Sequence, residues 1–218
     1  KQLLKNYRLS AKYDRENDYN NSLKMSAIQA YFTFLTIYNT NVFYNYEYDF
    51  YNSHLMSEFK DYVNHYSRLS SRPFEFMDIQ MSYAWGKDIA YREAIPKLGI
   101  RSNLDFKMSV NINNNLRVTP SINFEKLKKI DSNEYFFDGY ISRLDLRYQF
   151  NTALNFRVIS EYNEFTDKFF VQPLISWRPN PDTIFYFGGN QNYVDEFIDY
   201  NSPNYMVNKT QLFLKFQY

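Results

Sequence analysis

His54 and His65 are the only imidazoles in the chain, and Ser53, Ser57, Ser67, Ser70 and Asp61 share their stretch. A nucleophile, a base and an orienting carboxylate are the parts of a Ser/His/Asp hydrolase. No nucleophile-elbow pattern brackets any of these serines, however, and serine is common in loops. The plainer expectation is a long polar loop over residues 53–73 carrying two solvated histidines. The same histidines with Asp61 offer three metal-ligating groups, but a loop of unspecified shape imposes no coordination geometry. Glu47 and Asp49 share one strand face, as the carboxylates of a glycosidase must, yet such a pair also suits a hydrated surface beside basic groups. Gly188-Gly189-Asn190 lacks the strand-then-helix context of a phosphate loop and reads as a strand exit. No catalytic residue, metal site or cofactor is assigned.

The elements that carry these residues read as strands. In residues 104–112 the apolar Leu104, Phe106, Met108, Val110 and Ile112 alternate with Asp105, Lys107, Ser109 and Asn111. Successive side chains of a strand point to opposite faces, so this segment has one greasy side and one polar side. Leu144, Leu146, Tyr148 and Phe150 repeat the pattern against Arg143, Asp145, Arg147 and Gln149. So do Met77, Ile79, Met81, Tyr83 and Trp85, and likewise Val42, Tyr44, Tyr46, Tyr48 and Phe50 against Asn45, Glu47 and Asp49. Leu154, Phe156, Val158 and Tyr162 alternate with Asn155, Arg157 and Glu161. A soluble sandwich also alternates, so periodicity alone leaves the class open.

Length and turn asymmetry narrow it. The segments run to roughly 10 residues or more, which is long for soluble sheets and sufficient for a tilted crossing of a bilayer. Short polar turns at residues 39–41, 113–115, 151–153 and 180–182 alternate with long polar loops at 14–21, 53–73, 126–139 and 190–204. Short turns on one side and long loops on the other are the habit of transmembrane barrels. Keeping the two sides in order calls for one extra crossing at Ile89-Ala90-Tyr91-Arg92, entered through Gly86-Lys87, and the tally becomes about 12 strands. Trp85 and Trp177 fall on the greasy parity just before short turns, where a periplasmic aromatic girdle belongs. Pro120 and Pro173 lie inside strands and predict bulges or exposed edges. Ile28, Ala30, Phe32 and Phe34 are expected on an otherwise polar face, through a bulge or a lumen packed by aromatics.

Composition agrees. Aromatics are 21% of residues, yet the mean hydropathy is −0.59, so apolar residues are dispersed rather than gathered into helical spans. The longest uncharged stretch, residues 25–46, is broken by Gln29, Asn39, Thr40, Asn41 and Asn45. A net charge of +1 provides no basic footprint for nucleic acid, and the absence of Cys removes disulfide and thiolate chemistry. Lys1 is followed by no secretory leader, so an exported chain is expected to be a mature or truncated product.

The stretch Gln211-Leu212-Phe213-Leu214-Lys215-Phe216-Gln217-Tyr218 resembles the last strand of bacterial outer-membrane β-barrels, with Leu214, Phe216 and Tyr218 as the signal for the barrel-assembly machinery. Residues 143–150, the Trp177-Arg178-Pro179-Asn180-Pro181-Asp182 turn with its flanks, and Asn208-Lys209-Thr210 before the last strand are similar to a Bacteroidota outer-membrane family of unknown function. The similarity is loose over most of the chain and good over residues 138–218. Longer members carry an N-terminal carbohydrate-binding module of the family 9 type before a barrel, and many are labelled hydrolase. The resemblance implies glycans as a theme and carries no catalytic residue across. It also implies that residues 1–218, one barrel domain, are the C-terminal part of a larger barrel, with a complete small barrel as the alternative.

The expected fold is therefore all-β, a transmembrane antiparallel up-and-down β-barrel in the bacterial outer membrane. Its lumen-facing residues would be Glu47, Asp49, Asp105, Lys107, Arg143, Asp145, Arg147, Arg157, Glu161 and Lys215. Lipid would meet Trp85, Tyr83, Tyr148, Phe150 and Trp177. The expected role is a channel, or a scaffold joined to other outer-membrane or periplasmic subunits, rather than an enzyme. A hydrolase with its site in an extracellular loop is the alternative.

Overall fold

The computed structural model describes residues 4–37, 39–54, 57–195 and 205–218. They form one up-and-down sheet of twelve strands in chain order. These are β1 (Leu4–Asn17), β2 (Leu23–Thr36), β3 (Asn41–His54), β4 (Ser57–Phe74), β5 (Met77–Ile89) and β6 (Leu98–Asn111). They continue as β7 (Leu116–Lys129), β8 (Tyr135–Gln149), β9 (Leu154–Asn163), β10 (Lys168–Asn180), β11 (Thr183–Asp195) and β12 (Tyr205–Gln217). A 3₁₀ turn at Glu164–Thr166 joins β9 to β10. No helix of the described residues is long and apolar enough to cross a membrane, which says nothing of a β-barrel. The contacts divide the chain into two compact units, Lys1–Phe106 with Asn123–Gly139, and Lys107–Ile122 with Tyr140–Tyr218.

Turn chemistry sets the hairpins. Asn113 Oδ1 accepts from the backbone N–H of Asn115 and Leu116, both at 2.8 Å, and Asn151 Oδ1 does the same for Ala153 and Leu154. Asp18 Oδ1 accepts from Asn20 and Ser22 at 2.9 and 2.8 Å. In each case a short side chain replaces a backbone acceptor and folds the chain back on itself. Connections after even-numbered strands are short, at residues 37–40, 75–76, 112–115, 150–153 and 181–182. Those after odd-numbered strands are longer at residues 18–22, 90–97 and 130–134, whereas 164–167 matches the short side in length and residues 55–56 lie outside the described residues.

Twelve strands are found, but the chain is divided differently from the sequence expectation. Residues 53–73 are not a loop, because β4 pairs with β3 from Ser57 to Ser70 and with β5 from Asn64 to Phe74. The extra crossing at residues 89–92 does not exist, since β5 runs through Gly86 and Lys87 to Ile89 before the connection 90–97. The two differences cancel in the tally. Likewise β7 and β8 shrink the loop expected at 126–139 to residues 130–134, and β1 and β2 shrink that at 14–21 to 18–22. β11 and β12 take both ends of the stretch 190–204, of which residues 196–204 lie outside the described residues.

In the first unit, register places Ile28, Ala30, Phe32 and Phe34 opposite Tyr48, Tyr46, Tyr44 and Val42. They therefore belong to the apolar row and not to the polar face, where Gln29, Tyr31 and Thr33 stand instead. A bulge is present nearby, but it leaves Phe50 of β3 as the extra residue between Ala27↔Asp49 and Ser26↔Tyr51. Phe59, Tyr62 and Ile89 form a small buried cluster, with Leu98 packed on it.

In the second unit, β9, β10 and β11 keep one register past Pro173. Pro173 thus makes no bulge; the β10–β11 ladder skips Gln172 and Pro173, where proline supplies no N–H, and resumes at Leu174↔Gly188.

Gly86 has φ 127, and a Cβ there would press on the backbone of Val63 and Asn64. Only glycine accepts this bend. Gly86→Ala is expected to destabilise the protein by about 1–3 kcal/mol in equilibrium chemical denaturation, with the same Ala substitution at the turn residue Ser132 close to neutral.

Candidate functional site

The densest constellation of charge lies on β8 and β9. Register sets Arg143 opposite Glu161 and Arg147 opposite Arg157. Arg143 Nη1 donates to Glu161 Oε2 at 3.0 Å. Arg147 donates through Nε and Nη2 to the two oxygens of Asp145, each at 3.1 Å, and Arg157 Nη2 reaches Asp145 Oδ2 at 2.9 Å. Two guanidiniums that face each other would repel, and the shared carboxylate between them removes that cost. Asp145 is the least exposed of the three, with 14% of its side chain accessible. The five residues expected from sequence to be neighbours are brought together, and they satisfy one another instead of presenting one sign of charge.

The polar face of β2–β5 in the first unit is built from odd residues of β2, odd residues of β3 as far as Asp49, and even residues of β4 from Tyr62 and of β5, and past the Phe50 bulge Asn52 joins it. Glu47 accepts from Gln29 Nε2 at 2.5 Å, and Gln29 in turn accepts from the Tyr31 hydroxyl. Asp49 is buried, opposite Ala27 and Tyr62, and accepts a hydrogen bond from the Tyr62 side chain. Asn52 Nδ2 donates to Tyr62 Oη at 3.1 Å, and Arg101 Nη1 holds Asp88 at 2.9 Å. Glu47 and Asp49 do share a face, but their partners are an amide and a phenol. Asp105 accepts from Ser82 Oγ at 3.1 Å and from Asn123 Nδ2. In the second unit Lys107 is exposed on β6, and the ammonium of Lys215 stands 6.0 Å from the Tyr186 ring across the β11–β12 pair. In the turn 130–134, Lys129 Nζ lies 2.6 Å from Glu134 and holds that carboxyl below its ordinary value.

The opposite parity carries rings. In the second unit Trp177 stacks on Phe185 at 5.3 Å, Phe185 meets Phe216 at 5.0 Å, and Phe216 meets Tyr218. Tyr148 packs edge-on to Phe150 at 4.7 Å. These residues cluster beside the connections 150–153 and 181–182, and Trp177 remains 48% exposed. Leu212 and Leu214 of β12 are 75% and 74% exposed on the same side as Phe216 and Tyr218. In the first unit Trp85 stacks on His65 at 4.9 Å and on Tyr83 at 5.2 Å. Trp85 does not precede a short turn; it sits inside β5, nearer the connection 90–97 than 75–76. The tyrosine-rich row therefore extends along the strand, and no indole marks its short-turn end.

The suggested triad is not assembled. His65 Nδ1 pairs with Tyr44 Oη at 2.7 Å, Asp61 accepts from Tyr48 Oη at 2.9 Å, and Ser67 Oγ donates to the Tyr83 carbonyl at 3.3 Å. His54 lies edge-on to Tyr91 at 4.8 Å. No group of three metal-ligating side chains occurs among the described residues. Reading β4 as a loop concealed Tyr62, Asn64, Tyr66, Arg68 and Ser70, which share one face at every second position. That spacing was present in the sequence, hidden because His65 and Ser67 put polar atoms on the other parity too.

No protein-family model and no curated protein matches the chain.

Asp145→Asn is expected to leave Arg147 facing Arg157 without a counter-ion and to cost about 1–3 kcal/mol, discounted for the partial exposure of the guanidiniums. Denaturation of the single variant and of Asp145→Asn with Arg147→Gln measures it, and the second change should recover part of the loss.

Proposed function

We propose that this chain is an integral outer-membrane β-barrel protein of the Bacteroidota type, in which the apolar rows meet lipid and the polar rows line a hydrated interior through which solutes pass. The observation that carries the reading is the exposed apolar row on strands long enough to cross a bilayer, with no second layer packed on it among the described residues. Leu144, the residue a soluble sandwich would bury, is 41% exposed. Eight apolar residues are buried among the described residues, three of them alanines, which is a meagre core for so aromatic a chain. Lipid contact relieves that exposure, and the ring cluster around Trp177 suits an interfacial girdle.

The polar side supports a wet interior. The side-chain oxygens of Asn45, Asn64, Asn163 and Asn190 are buried without a protein partner, and all four lie on polar parities, where hydration would satisfy them. Charges there are paired by sign, as around Asp145, so a channel of weak ionic selectivity follows. A link to glycan handling comes only from the resemblance of the last third to the Bacteroidota family. The hydrolase alternative gains nothing from His54 and His65, whose neighbours are aromatic.

Leu144→Arg separates membrane from water. At a lipid-facing position near mid-strand it is expected to cost about 2–4 kcal/mol of folding free energy in bilayers, whereas an exposed leucine of a soluble sheet tolerates arginine within about 0.5 kcal/mol. Planar-bilayer recording tests conduction: current in both polarities with little cation or anion preference is expected, and a complete absence of current in either polarity would reduce the role to a sealed scaffold.

A further inference from the structure

We propose that the polar face of β1–β4 carries a recognition groove for a ring-bearing organic anion, with Arg68 taking the acidic group and the rings of Phe43 and Tyr66 taking the flat face of the solute, while Arg8 stands at the far end of the same row. The inference deepens the channel reading by naming a solute class, and rests on that reading only for how the solute arrives.

A cavity of about 350 Å³ is lined by Thr33, Asn41, Phe43, Tyr66, Arg68 and Ser70. A second, of about 180 Å³, shares Thr33 and reaches Arg8. Register aligns them in one cross-strand row: Arg8 faces Thr33, Thr33 faces Phe43, and Phe43 faces Arg68. Three strand spacings, roughly 14 Å, separate the backbones of Arg8 and Arg68, so a small solute on the Phe43 and Tyr66 rings meets Arg68, and only a longer one with a second acidic substituent extends toward Arg8.

Both guanidiniums of the row lack an acidic partner among the described residues. Lys12, Lys60 and Arg72 hold Asp14, Glu58 and Asp78 at 2.6, 3.2 and 2.6 Å. Arg8 and Arg68 hold no carboxylate among the described residues. Arg68 donates through Nε to Tyr66 Oη at 2.8 Å and lies 5.4 Å over its ring, which fixes the guanidinium and leaves the outer edge of its fork open to a carboxylate or sulfate.

The rings are the second anomaly. Tyr31, Phe43 and Tyr66 sit on the polar parity of β2, β3 and β4, with centroids 6.1 Å apart at both steps. Apolar ring surface on a wet face is unfavourable unless something flat covers it. Thr33, Asn41 and Ser70 add hydrogen-bonding groups beside the rings, which matches a solute having both a flat face and polar edges.

The test is equilibrium binding to the detergent-purified chain by titration calorimetry, with glucuronate and benzoate as anionic ring probes and glucose and inorganic sulfate as controls. Both anionic ring probes should bind more tightly than either control; the stronger of the two tells acidic sugar from aromatic acid. Arg68→Gln should weaken binding by roughly tenfold or more, while Lys12→Gln, and Arg8→Gln three strands away from a probe with a single carboxylate, leave it unchanged. Far-UV circular dichroism confirms that each variant keeps its strands, and if Arg68→Gln does not, Arg68→Lys, which keeps the charge and loses the planar fork, decides by a smaller loss of affinity. Glucose binding as tightly as glucuronate, sulfate equalling both ring anions, or a folded Arg68 variant with unaltered affinity would overturn the proposal. Binding without conductance would sink the channel and keep the groove, and conductance without binding would do the reverse.

Discussion

Everything in this fold depends on the antiparallel ladder with its two-residue period. Each strand satisfies its backbone polar groups on its neighbours, so the side chains are free to divide into an apolar row and a polar row. A slip of one residue would exchange the rows, and the short Asn and Asp turns at residues 18, 113 and 151 hold the hairpins against it. The ion cluster of β8 and β9 is a direct consequence. Asp145 reaches both Arg147 and Arg157 only because the register sets those two arginines opposite each other.

The magnitudes rank the two rows. Exposed ion pairs such as Lys24 with Glu16 are screened by water and contribute little to stability. Covering one exposed leucine or phenylalanine is worth about 1.5–3 kcal/mol, and Leu144, Phe187, Leu212, Leu214 and Phe216 are five of many that await it. The apolar row is thus the larger reservoir of stabilisation, and what covers it governs stability more than the polar network does. On the polar row charges neutralise one another around Asp145 and between Arg143 and Glu161.

Strands with strict alternation were legible from the chain alone. β6, β8 and β9 lie where Leu104 to Ile112, Leu144 to Phe150 and Leu154 to Tyr162 placed them, and the β8–β9 charges share the face expected of them. β4 was not legible, because His65 and Ser67 occupy positions where its neighbours carry rings. His65 is tolerated there by stacking on Trp85 and bonding to Tyr44, contacts that no local pattern announces. The crossing wrongly placed at residues 89–92 had the same root. With β4 missing, one more strand was needed to keep the turns in order. Pro173 misled for a different reason: losing one N–H interrupts a single rung and leaves the register intact.

By itself the sequence determined the class of element, the period and the parity of most residues, because alternation is a local property of an extended chain. Tertiary pairing decided which strand stands beside which. It turned the expected loop residue His65 into a member of an aromatic row and set Arg8, Thr33, Phe43 and Arg68, 60 positions apart from first to last, in one line across four strands. Such a row exists only through register, which is a relation between strands and is written in none of them singly.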